Sequence, residues 1–291
     1  MDTGVTYVGT SKKKSTGGFL DSITSDFVSL KPKTVLYGDQ GTGKTTIGCF
    51  WGSDPSNNLF MQAGETGLNT LKGAKQVPSS ILAYPTERIS TFDHWMGALQ
   101  ELAAGGHKYV GGTLVVDTLG GVQTMLEAKI MREVFHGNEQ EFWSYASGHK
   151  ACKPYWKEMH KTLDAINANA NMGILLLCHR MIESFDPPDA LKYTRYSPNL
   201  HKWMWDLTSA WSDMTLMLDR VTVVQEQRGS SKAKAKGGTQ RILRTTHSAT
   251  HDAKNRYGLP EIITLSNKSG EESVSIIQGE FVKSISERKA T

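Results

Sequence analysis

Residues 35–46 read VLYGDQGTGKTT. Within them Gly38, Asp39, Gln40, Gly41, Thr42, Gly43, Lys44 and Thr45 fit the spacing G-x-x-x-x-G-K-[ST] in full. That spacing has a chemical logic. Glycines let consecutive backbone N–H groups turn toward one centre, and a helix that starts at the lysine adds its positive end, so the stretch can cradle a chain of phosphates. Lys44 has the reach for the β- and γ-phosphates of ATP, the Thr45 hydroxyl can hold Mg²⁺, and Thr46 adjoins the same turn. A site of this kind needs a carboxylate at the end of a neighbouring strand to hold the metal, usually through water. Asp117 ends the apolar run TLVVD, whereas Asp93, Asp164 and Asp213 have no such run before them. Glu65 follows the apolar run NLFMQ between Gly64 and Gly67, where a carboxylate can orient or deprotonate an attacking water; the plain alternative is an exposed loop glutamate. His179 closes LLLCH, placed either to sense a γ-phosphate or to cap a strand.

These groups need a scaffold that brings strand ends together. The runs 34–38, 58–62, 113–117 and 173–178 read as short buried strands, and 44–53, 91–104, 121–135 and 155–171 have helical length and period. Strand and helix in alternation predict an α/β fold, with a mainly parallel central sheet covered by helices on both faces. The last third reads differently. The runs 214–218, 221–227, 240–246, 261–265 and 273–277 are β-rich with no long helix between them, which predicts an antiparallel extension of the same sheet. With 291 residues, 38% of them hydrophobic, one domain over 19–291 can bury a sizeable core, preceded by a disordered basic tail at 1–18. No run approaches the ~18 apolar residues that span a bilayer, so no membrane role is expected. Cys49, Cys152 and Cys178 are odd in number and lie in or beside apolar segments, the usage of buried reduced thiols in a cytoplasmic protein. His149, Cys152 and His160 match no common zinc spacing.

A net charge of +4 says little about partners, but its placement is informative. Residues 228–244 carry Arg228, Lys232, Lys234, Lys236, Arg241 and Arg244 with no acid, and 228–239 reads as the flexible tip of a hairpin. Such a run is either a solvated loop or a contact for a nucleic-acid backbone. After His179, Lys192, Tyr193, Arg195 and Tyr196 sit in a proline-bounded loop that mixes rings with cations, which suits single-stranded nucleic acid or a lid over the nucleotide.

Taken in order, VLYGDQGTGKTT, LFMQAGETGL, TLVVDT, ILLLCH and AKNRYGLPEIITL resemble the RecA-like ATPases, covering roughly residues 33–265. More closely, the chain is similar to the phage-type nucleotide-binding family with a single RecA core, AAA-domain proteins that include recombination and single-strand annealing ATPases. The resemblance implies a RecA-like P-loop core with Glu65 as catalytic glutamate and Asp117 as the Walker B aspartate. It also gives AKNRYGLPE a meaning: Lys254 and Arg256 resemble the cations that such proteins insert into a neighbour's ATP site, the alternative being a basic turn before a strand. The implied function is a DNA-stimulated ATPase acting on single-stranded DNA in recombination, repair or replication. It would work as a homo-oligomeric ring or filament, with a single-strand-binding protein as a further partner, in the cytoplasm of a bacterium or a phage-infected host. Two other readings stay open: a nucleotide-switched annealing or mediator protein with little turnover, and a P-loop small-molecule kinase.

Overall fold

A computed structural model describes residues 30–52, 54–188, 191–225 and 234–289. The expected tail at 1–18 lies outside them, as do Arg228 and Lys232. Along the chain run β1 (Lys33–Gly38), α1 (Lys44–Phe50), β2 (Leu59–Gln62), α2 (Gly67–Gly73), β3 (Leu82–Ala83), α3 (Phe92–Ala103), β4 (Thr113–Asp117) and α4 (Leu119–Glu133). Then come α5 (Glu139–Trp143), α6 (Ser147–Asn169), β5 (Gly173–Phe185), β6 (Tyr193–Pro198), α7 (Lys202–Trp211), β7 (Met214–Gln225), β8 (Lys234–Arg244), β9 (Lys254–Asn255), β10 (Ile262–Thr264) and α8 (Gly270–Lys289).

The strands form one sheet in the order β10-β8-β7-β1-β5-β4-β2-β3, with β6 on β5 and β9 on β7. From β7 to β3 every neighbour is parallel, and β8, β10, β6 and β9 are added antiparallel. This is the α/β fold expected, with its antiparallel extension. Successive side chains of a strand point to opposite faces, and here both faces are dry. Val35 and Tyr37 of β1 join one core with Leu114, Val116, Ile174 and Leu176, beneath α3, α4, α6 and α7. Leu36, Val115, Leu175 and Leu177 join the other with Ile47 of α1, Leu68 of α2 and Val274 and Ile277 of α8. Burial on both faces is why these strands read as unbroken apolar runs.

Two expectations fail in the last third. Residues 273–277 are not a strand but lie in α8, whose inner side carries Val274, Ile277, Phe281 and Ser284 at helical spacing. The β-branched window SVSII is too short to show that period. The basic stretch is also less of a loop than expected. Residues 234–239 already belong to β8, where Lys234 faces Gln225 and Lys236 faces Val223 in the ladder with β7. The cysteines are free and buried, and no described helix is long and apolar enough to cross a membrane.

In α6, Cys152, Trp156, Met159, His160, Leu163 and Ile166 form the buried stripe. His160 stacks on Trp211 at 4.7 Å and lies 3.3 Å from the Thr208 hydroxyl. Burial, opposed in part by Asp164, pushes its pKa down to about 4. The unfolded chain therefore binds a proton near the ordinary value of 6.5 that the folded chain refuses. Stability is full above that value and is lost as pH falls from there toward 4, by at most ~3 kcal/mol from this residue. Urea unfolding at pH 7 and pH 4.5 should show a drop that is smaller in His160→Gln by about that amount.

Candidate nucleotide-binding site

β1 stops at Gly38, level with His179 of β5 and Leu218 of β7, yet both neighbours run on, to Phe185 and Gln225. The chain after Gly38 thus leaves the ladder in a gap between two strands that continue. Gly41 and Gly43 have φ of 70° and 95°, a left-handed backbone that glycine adopts without strain. The Thr42 hydroxyl ties the turn by donating to the Asp39 carbonyl at 2.7 Å. Lys44 then opens α1 and is only 6% exposed. Its Nζ donates to the carbonyls of Gly38 at 2.9 Å and Asp39 at 2.8 Å. Burial lowers its pKa from the usual lysine range, while Asp117 and other acids oppose this.

Asp117 is 2% exposed at the end of β4, two strands from β1, and accepts a 2.8 Å hydrogen bond from the Thr45 hydroxyl. Burial raises its pKa above the usual carboxylate range, against the Thr45 hydrogen bond and the charge of Lys44. A buried carboxylate beside a hydroxyl is a donor set for a hard cation. Among the described residues no group of three His, Cys, Asp or Glu could hold a metal alone. Magnesium suits such a site, because it takes one or two protein oxygens and fills its shell with phosphate and water. The loop, Lys44, Thr45 and Asp117 therefore fit a magnesium nucleotide.

Glu65 faces this group. The β2–β4 ladder continues past Gln62 through Ala63, whose N–H donates to the Asp117 carbonyl at 2.7 Å. The turn that follows packs on α4 so closely that a Cβ on Gly121 would lie 1.9 Å from the Ala63 carbonyl oxygen. Gln62 donates to the Glu65 carbonyl at 3.1 Å, and the Glu65 carboxylate meets His179 Nε2 at 2.8 Å. Lys44, Thr45, Glu65, Asp117 and His179 line one cavity of about 560 Å³ together with Gln40, Gly41, Gly43 and Thr46. A second hollow, also about 560 Å³, opens on the far side of the Glu65–His179 pair.

Other expected residues lie elsewhere. Lys254 lies where β9 pairs with the start of β7, at the end of the strands opposite the loop, and Arg256 follows directly after β9. Lys254 Nζ is committed to the carbonyls of Ser209, Ala210 and Ser212, capping the end of α7, and Arg256 pairs with Asp213 at 3.1 Å. In this chain neither reaches the loop. Tyr193, Arg195 and Tyr196 belong to strand β6 rather than a loop. Arg195 is drawn inward by Asp252 at 3.4 Å and Glu183 at 3.7 Å, and lies over the Phe185 ring, so its charge is already neutralised. Lys192 is exposed beside this strand. Arg241 was expected among the nucleic-acid contacts, but it is half-buried against the loop, with Nη1 3.5 Å from the Thr42 carbonyl. Sequence reasoning missed Arg180 and Arg220. Arg180 grips Asp39 with Nε at 2.6 Å and reaches Asp219 at 3.1 Å. Arg220 Nη2 donates to the Gly41 carbonyl at 2.9 Å. The one signal in the sequence was the position of Arg180 directly after His179.

Residues 30–257 match a family model described as an AAA domain. No curated protein matches the chain. Among solved structures, the crystal structure of the RadB recombinase matches at 14% identity with a TM-score of 0.44, over 83% of this chain and 91% of that one.

The raised pKa of Asp117 gives a sign to one substitution. Below the ordinary carboxylate value of 3.8 the group is protonated in both folded and unfolded chains and carries no penalty. As pH rises through that value toward the folded pKa, the unfolded chain ionises first and folding is disfavoured. Asp117→Asn removes the penalty and keeps an acceptor for Thr45. Without metal or nucleotide the variant should melt above wild type at pH 7, and the gap should close below pH 4.

Proposed function

Since the chain belongs to the AAA-domain family, we propose that it binds ATP with Mg²⁺ in the cavity beside Lys44 and hydrolyses it. The observation that carries this reading is the 2.8 Å pairing of Thr45 with buried Asp117, directly across from the Glu65–His179 pair in one cavity. Mg²⁺ bound with the triphosphate supplies a positive centre that offsets charge on the transferring phosphoryl group. The loop N–H groups and Lys44 bind and orient the phosphates, Lys44 exchanging two neutral carbonyls for charged oxygens. Thr45 and Asp117 would hold the metal, the aspartate through water. Glu65 accepts the proton of the attacking water on the carboxylate oxygen that His179 leaves free, and His179 fixes the orientation of that carboxylate.

Action on DNA, single-stranded DNA first, is the finer part of the proposal. Its support is the acid-free run 228–244, whose Lys234 and Lys236 pair in β8 with Gln225 and Val223, beyond the level at which β1 ends. Homo-oligomers in which Lys254 and Arg256 act on a neighbour's site belong to the same proposal. Arg256→Ala tests them better than a Lys254 substitution, because Lys254 also caps α7. A lower ATPase rate in the assembled form is the expected result, and a rate equal to wild type would remove Arg256 from the proposal. One observation favours a second reading, a nucleotide-dependent switch with slow turnover: Glu65 is already held by a histidine.

A steady-state ATPase assay with and without single-stranded DNA, double-stranded DNA and RNA decides between them. Hydrolysis should rise with single-stranded DNA, and Glu65→Gln should lower kcat by about 10²–10⁴-fold while ATP still binds. Turnover near zero, with ATP-dependent annealing, would establish the switch. Replacing Lys232, Lys234 and Lys236 by alanine should weaken DNA binding and flatten its dependence on salt, because fewer counterions are released. Unchanged affinity and slope would remove the hairpin from the DNA-binding account.

A further inference from the structure

In the ladder between β7 and β8, Arg220 stands directly opposite Arg241, where the register shifts before Thr222. Like charges in facing positions destabilise an antiparallel pair. Neither strand propensity nor core packing accounts for the arrangement. Both guanidinium groups turn toward the phosphate loop. Arg220 Nη2 donates to the Gly41 carbonyl at 2.9 Å, and Arg241 Nη1 lies 3.5 Å from the Thr42 carbonyl. Arg241 reaches further, donating to the Ser266 carbonyl and, at 3.0 Å, to the Ser273 hydroxyl in the first turn of α8. Its side-chain acceptors are all neutral oxygens, and burial together with Arg220 lowers its pKa from the usual arginine range. The pair lines a hollow of about 650 Å³ that shares Gly41, Gly43 and Thr46 with the cavity beside Lys44.

Peptide geometry gives these contacts a consequence. In a trans peptide the carbonyl and the following N–H point in opposite directions. Holding the Gly41 and Thr42 carbonyls from outside the loop turns the N–H groups of Thr42 and Gly43 the other way, toward the side where phosphates are bound. We propose that Arg220 and Arg241 form a cross-strand guanidinium clamp that sets the phosphate loop for a nucleoside triphosphate and ties its occupancy to the β7–β8 hairpin and to α8. The clamp rests on reading this cavity as a nucleotide site. Both arginines are positioning residues, acting through the loop. An anion in the loop offsets their mutual repulsion, so the clamp is most favourable when the loop is filled. By linkage, a ligand of the hairpin that raises nucleotide affinity by some factor has its own affinity raised by the nucleotide by the same factor.

Calorimetric titration with ATP and Mg²⁺, together with thermal melting, tests the clamp in wild type, Arg220→Gln, Arg241→Gln and Arg220→Lys, with Lys44→Ala as reference. Each glutamine variant should raise the Kd for ATP about tenfold, as expected for losing a charge-assisted hydrogen bond, and Arg220→Lys should recover part of it. In both glutamine variants the ATP-induced rise in Tm should shrink relative to wild type. An arginine with a merely structural role would instead lower the nucleotide-free Tm and leave Kd unchanged. Ser273→Ala separates the two links of Arg241: ATP should protect α8 amides from hydrogen exchange in wild type and much less in this variant. Wild-type Kd in both glutamine variants overturns the clamp. Wild-type protein that binds no ATP overturns the nucleotide reading itself, and the two failures are distinct because the reference is then silent.

Discussion

The backbone of residues 39–43 must stay out of the sheet, although it emerges between two strands that continue past it. A parallel ladder would otherwise consume the N–H groups that, on the proposed reading, would face an anion, since buried backbone donors are nearly always paired. Most of the architecture around the loop serves to keep those groups available. Gly38 lies so close to β7 that a Cβ there would meet the Leu218 carbonyl oxygen at 2.2 Å, so the chain leaves the sheet at a position where no larger residue fits. Beyond it, left-handed Gly41 and Gly43 turn the chain, and Lys44 holds the carbonyls of Gly38 and Asp39, which leave the ladder first. Past the gap β5 pairs with β6 from Arg180 onward, and β7 keeps β8 on the edge that faces away from β1.

How much of this the sequence reveals depends on range. The loop, its helix and Asp117 are legible because each is a local pattern: glycine spacing, a strand before it, an acid ending an apolar run. The parallel strands are legible as buried runs, although burial on both faces removes the alternation that would mark them as strands. Residues 273–277 mislead because five residues cannot distinguish a strand from one turn of a helix. Only Phe281 and Ser284, further on, complete the inner stripe of α8. The Glu65–His179 pair lies beyond local reading, since it depends on β2, β4 and β5 being neighbours in one register.

The cations show the limit most clearly. In the sequence, Arg241 belongs to a basic run that suggests a phosphate backbone, and Arg195 to a loop of rings and charges. In the fold, Arg195 is neutralised by Asp252 and Glu183, and Arg241 is turned toward the loop by the register of β8 against β7. A cation's partner is set by the strand opposite it, and that information is absent from its sequence neighbours.

This gives the two hairpins flanking β1 a shared role at the loop. On one side Arg180 of β5 holds Asp39 through Nε and Nη2, and its Nη1 reaches across to Asp219 of β7, which also accepts from Arg244 of β8 at 3.4 Å. On the other side Arg220 and Arg241 hold the carbonyls of Gly41 and Thr42. The side chains of Arg180 and Asp219 are 19% and 18% exposed, so solvent screens this bridge less than it would a surface pair. The fork of a guanidinium suits the task better than an ammonium, because one planar group can bind the loop and a strand together. The loop is therefore bracketed by groups anchored in both arms, and a force on either hairpin acts on the peptides that would hold the phosphates. If DNA binds those arms, its effect on nucleotide affinity needs no conformational change larger than the rearrangement of these few hydrogen bonds.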